Sequence, residues 1–113
     1  MEERIRPWLD SLEGHRSCLA WVVRHASQPS IQRAWNSTLA VEALEYATRS
    51  VADLFRVLQL HKQPSRYLQW TFEEGALHCV QRLDGWILVV VAQRQPALPE
   101  EQLASWVQSF IDL

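Results

Sequence analysis

The sequence predicts an α/β fold of the α+β kind: a five-stranded antiparallel sheet in the order 2-1-5-4-3, with a long helix on one face and the two terminal helices on the other. Three observations carry this expectation. Cys18–Val23 and Trp86–Val91 are apolar at successive positions, the pattern of strands covered on both faces, so the two belong side by side at the sheet centre. A long helical pattern lies between them in the chain, and shorter ones occupy both ends. Two tight-turn signals, Glu73-Glu74-Gly75 and Leu83-Asp84-Gly85, join three strands in close succession.

The first helix is expected over about Glu2 to Leu12, where Ile5, Trp8, Leu9 and Leu12 fall on one face; Pro7 is tolerable near a helix start and Gly14 is a stop. The first strand, Ser17 to Arg24, alternates Leu19, Trp21 and Val23 on one face with Cys18, Ala20 and Val22 on the other. A more polar second strand, Ser30 to Trp35, reads as an edge. Asn36-Ser37-Thr38 offers helix caps, and the long helix runs to about Leu60 with a core stripe of Ala40, Leu44, Ala47, Val51, Leu54, Phe55 and Leu58. Arg66 to Phe72, Ala76 to Arg82 and Trp86 to Ala92 are the remaining strands. Pro99 suits a first helical position ahead of Glu100 and Glu101, and Leu103, Trp106, Val107, Phe110 and Ile111 form the apolar face of the last helix.

The chain has 113 residues, 48% of them apolar, which suits one domain with a real core. A net charge of −2 and a lone lysine, Lys62, among scattered arginines argue against a nucleic-acid footprint. The longest apolar run, Trp86 to Ala92, is too short to cross a bilayer, so no membrane insertion is expected. The acidic start lacks a signal peptide, and the two cysteines, Cys18 and Cys79, make no disulfide framework; the expected location is a reducing cytoplasm.

The stretches Glu42–Leu58, Arg66–Leu77 and Leu83–Val91 together resemble the Roadblock family, the dynein light-chain type of domain, itself similar to profilin-like and longin-like folds. The family pattern is a long helix, an extended strand, a short acidic-glycine turn, a second strand, then a glycine followed by an aliphatic run. The likeness spans essentially the whole chain as a single Roadblock-type domain, residues 1–113. The segment Arg24 to Ser30 departs from it, because it lacks the glycine usual between the first two strands. The resemblance implies a symmetric dimer paired through the long helix and the third strand, with itself or a related Roadblock-type subunit. It also implies partners: Ras-like small GTPases, as for the bacterial members that regulate polarity and gliding, or large motor and scaffold assemblies.

The residues bear on the same expectation. Leu39, Ala43, Tyr46, Ser50, Asp53, Val57 and Leu60 repeat at four and three, a seam for another helix, although a wide core face would give the same spacing. The third strand holds no charge between Arg66 and Glu73 and carries Tyr67, Gln69 and Trp70, an edge suited to pairing unless its flanking charges blunt it. Glu42, Glu45, Arg49 and Arg56 are the outward charges of the long helix, suited to a transient partner or merely solvated; reversing Glu45 and Arg49 together is expected to weaken partner binding while sparing the melting temperature. Trp8, Trp21, Trp86 and Trp106 read as core, Trp35 and Trp70 as interface anchors.

No enzyme signature is present. His15 with Cys18, and His78 with Cys79, lack the spacing of a metal site. The serines have no nucleophile elbow and the few glycines form no phosphate loop, so no cofactor is expected. The resulting expectation is a non-catalytic dimeric adaptor or regulator of a small GTPase. A structural subunit of a larger assembly and a small-ligand sensor are its alternatives.

Overall fold

A computed structural model describes residues 2–25, 28–34, 41–62, 66–73 and 75–113. Its elements are helix α1 (Glu2–Ser11), strands β1 (Cys18–His25) and β2 (Ile31–Ala34), helix α2 (Val41–Leu60), strands β3 (Tyr67–Phe72), β4 (Gly75–Gln81) and β5 (Trp86–Gln93), and helix α3 (Glu100–Ile111). The strands form one antiparallel sheet in the order β2-β1-β5-β4-β3. The doubly apolar strands are neighbours at its centre, as the sequence predicts: β1 and β5 are buried on both faces, so neither can lie at an edge without exposing valines to water.

Two apolar layers result. On one face, Ile5 and Leu9 of α1 and Trp106 and Phe110 of α3 pack on Trp21, Val23, Leu88 and Val90. On the other, Leu44, Val51 and Phe55 of α2 pack on Ala20, Val22, Ile87 and Val89. Trp8, Trp21, Trp86 and Trp106 all belong to the first layer; Trp8 is half-buried, and its Nε1 donates to Ser109 Oγ at 2.9 Å. Trp35, the caps Asn36 to Thr38, Leu39, Ala40 and the glycine-free turn at 26–27 lie outside the described residues.

Several local expectations are corrected. Cys18 shares the Trp21 face and Leu19 the Ala20 face, because the β1–β5 register shifts between Cys18 and Ala20. This bulge places two β1 residues against one on β5 and reverses the alternation before it. Pro99 is the N-cap of α3, with φ −60° and ψ 137°, rather than its first helical residue. Ile111 is 47% exposed, because Phe110 already fills the inward position at the helix end. In α2 the buried row is completed by Thr48, whose hydroxyl donates to Leu44 O at 2.7 Å and so enters the apolar layer satisfied.

Two arginines fasten the terminal helices. Arg33 on β2 donates to the carbonyls of Leu9 and Leu12 at the end of α1 and lies over the Trp21 ring, 5.3 Å from its centroid. Arg82 donates to Phe110 O at 2.7 Å and Leu113 O at 3.1 Å, and lies over the Phe110 ring. Both add donors to carbonyls at a helix end, where the regular i+4 amide partners run out.

Candidate functional site

Helix α2 has three surfaces besides its buried row, because residues recur at 3.6 per turn. One flank faces β3: Val51 and Leu54 line a cavity of about 390 Å³ together with Leu68, Gln69, Trp70 and Thr71. The opposite flank overhangs β1 and β2. There Glu42, Glu45 and Arg49 line a cavity of about 780 Å³ with Arg24 and Ser30, and Arg49, Arg56 and Gln59 line a second of about 750 Å³ with Arg24 and Gln81. The ridge between the flanks points away from the sheet and carries Tyr46, 71% exposed, Asp53 and Leu60, 74% exposed.

The sequence-predicted partner residues Glu42, Glu45, Arg49 and Arg56 thus gather along one trough. They differ within it. Arg56 is exposed and pairs with exposed Asp53 at 3.5 Å. Glu45 is committed to the fold: Oε1 accepts from Arg24 Nη1 at 2.6 Å, and Oε2 accepts from the backbone N–H and hydroxyl of Ser30. The Ser30 hydroxyl, then the Ser30 N–H, Arg24 and Arg49, hold its carboxyl below the usual range against the opposing effect of desolvation. Reversing Glu45 is therefore expected to disrupt the α2–β1 contact, so the double reversal with Arg49 should lower the melting temperature rather than spare it. Arg24, 5% exposed, escaped the sequence reading; its position two residues past Val22, on the α2 face of a central strand, was the available signal.

The predicted seam divides between surfaces. Ala43 and Ser50 turn toward the β3 flank, whereas Tyr46, Val57 and Leu60, all exposed, ride the outer ridge; Leu39 is outside the described residues. Ser50 Oγ donates to Tyr46 O at 3.1 Å. On β3, Tyr67, Gln69 and Trp70 are exposed, Trp70 by 53%. Arg66 O accepts from Gln81 N at 2.9 Å, so the even-numbered residues of β3 bond to β4 and odd-numbered Tyr67, Gln69 and Thr71 turn their backbone groups outward. Tyr67 contacts His78 Nδ1 through its hydroxyl at 3.0 Å. Desolvation lowers the pKa of His78, and desolvation, with Cys79 and Glu100, raises that of Tyr67.

Cys18 and Cys79 are buried free thiols on opposite faces of the sheet, each pushed up to about 12 by desolvation. Among the described residues no three His, Cys, Asp or Glu side chains gather as a metal site, and no helix is long and apolar enough to cross a membrane.

No family model and no curated protein matches the sequence. Solved structures do match. Myxococcus xanthus MglB is similar with a TM-score of 0.65 at 10% identity, over 96% of this chain and 87% of that one. The Roadblock/LC7 domain from Streptomyces avermitilis is similar with a TM-score of 0.61 at 13% identity, over 92% of this chain and 88% of that one. The fold is that of a Roadblock domain. The resemblance read from the long helix and the β3–β5 segment therefore holds at the level of architecture, including the strand order and the two helical layers.

Proposed function

We propose that this chain is a non-catalytic adaptor or regulator, a single Roadblock-type domain over residues 1–113. It pairs with a second copy or a related subunit through α2 and β3 and binds a Ras-like small GTPase through α2. The observation that carries this reading is the uncharged aromatic edge of β3 lying beside α2, with Tyr67 and Trp70 exposed. An open edge of this kind invites another strand, and a protein that keeps it uncharged has a use for it. The α2 trough, with exposed Arg49 and Arg56, suits a reversible polar contact.

Two measurements test this. Light scattering at micromolar concentration should give twice the chain mass; a monomer defeats the pairing. A Ras-like GTPase from the same genome, loaded with GDP or with a non-hydrolysable GTP analogue, should bind one form more tightly, and Arg49→Glu with Arg56→Glu should weaken that binding. Equal affinity for both forms puts a structural subunit of a larger assembly in its place.

A further inference from the structure

The half of the trough nearer the end of α2 gathers positive charge around a space of small-molecule size. Its cavity of about 750 Å³ lies between α2 and the adjoining ends of β1, β4 and β5. Small organic ligands occupy volumes of this order. Among the described residues, the guanidiniums of Arg24, Arg49 and Arg56 line it against one carboxylate, that of Asp53. Glu45 lines the neighbouring cavity and balances Arg24, so the wall keeps an excess of positive charge in a chain whose net charge is −2.

The arginines have different parts to play. Arg24 is 5% exposed and held by Glu45, so its guanidinium is a fixed part of the wall. Arg49 and Arg56 are exposed and about two turns apart on one side of α2. The Arg56–Asp53 pair, at 3.5 Å, is exposed on both sides, an arrangement worth little in water, so an incoming anion can replace Asp53 at low cost. A phosphate monoester carries nearly two charges and three acceptor oxygens, enough to engage both guanidinium forks, whereas a carboxylate brings one charge and two oxygens. Beside the cations, Ala52 and Ile87 give the cavity an apolar wall and Gln59 and Gln81 carry amides, groups suited to the body of an organic molecule.

We infer that this half of the trough binds a small organic phosphate, its phosphate held between Arg49 and Arg56 and its body against Ala52 and Ile87. The GTPase reading uses the same two arginines, so a bound ligand and a bound partner exclude one another. The ligand is tested on the chain alone, and either reading can fail without the other.

Phenyl phosphate is the probe, with inorganic phosphate and benzoate beside it, each titrated by NMR at constant ionic strength. Phenyl phosphate should bind saturably, more tightly than inorganic phosphate, which lacks the body, and than benzoate, which carries a carboxylate instead. Arg49→Ala with Arg56→Ala should weaken it about ten-fold or more. Asp53→Asn should tighten it, because the opposing carboxylate is gone. Arg94→Ala, at an exposed arginine past the far end of β5, should change nothing. All these positions are exposed, so melting temperatures without ligand should match wild type and confirm folding. Absence of saturable binding, benzoate binding as tightly, or an equal loss from Arg94→Ala overturns the site and leaves the GTPase reading standing. Inorganic phosphate binding as tightly as phenyl phosphate overturns the placement of the body.

Discussion

Arg24 Nη1 lies 2.6 Å from Glu45 Oε1, joining the centre of the sheet to α2 through a guanidinium whose side chain is 6% exposed. Removing one partner strands the other: Arg24→Ala leaves Glu45 with Ser30 and the weaker attraction of Arg49 and opens space under α2, at an expected cost of about 2–4 kcal/mol. Arg24→Met, which keeps the packing but not the charge, should cost less. Urea denaturation separates the two; equal losses would show that charge rather than packing dominates.

Acid should unfold the protein in two stages. His78 has a lowered pKa in the fold, so the unfolded chain takes up its proton more readily, and stability declines as pH falls below its ordinary 6.5. Glu45 also has a lowered pKa; its contribution is full above its ordinary 4.5 and is lost as pH falls through the lower, folded value. Melting temperature against pH should therefore drop first with the histidine and again with the carboxylate. His78→Gln should flatten the first drop and leave the second; an unchanged first drop would remove His78 as its cause.

Arg82 holds the end of α3 through two carbonyls, and the Asp84 carboxylate of its own turn pairs with the same guanidinium at 3.0 Å. Arg82→Ala should cost about 2–3 kcal/mol, as for hydrogen bonds from a charged donor. Arg82→Lys should restore only part, because an ammonium on a flexible stem cannot present the guanidinium's fixed fork to both carbonyls. Full rescue by lysine in thermal melts would argue for charge alone.

Two positive-φ residues should respond in opposite directions. Lys62, at φ 59°, follows α2 in the left-handed region, and Lys62→Gly should stabilise by up to about 1 kcal/mol. Gly85, at φ 92°, ends the β4–β5 turn, and a Cβ there would come within 3.1 Å of His25 Nε2. Gly85→Ala should cost about 1–3 kcal/mol. Denaturant midpoints moving the same way in both variants would contradict this.

The architecture was legible because it rests on whole segments. Cys18–Val23 and Trp86–Val91 could only be central strands, and the Asp84-Gly85 turn announced its hairpin. What stayed hidden depends on single register choices or on distant contacts. The bulge that moves Cys18 to the Trp21 face is a one-residue slip with no composition of its own. Arg24 read as the polar end of a strand, since its partner Glu45 is 21 residues away. The spacing of Ala43 to Leu60 fixed a repeat but not where β3 lies around the helix; that position separates the flank of Ser50 and Leu54 from the ridge of Tyr46 and Leu60.

Arg33 gives the edge strand and the first helix a shared fate. It is the residue of β2 that closes the last turn of α1. When β2 peels from β1, that turn loses its cap in the same event. Amide hydrogens near the end of α1 and those of β2 should accordingly exchange with one common opening rate, faster than the β1–β5 pair, and Arg33→Ala should accelerate the helix amides at a site on another element.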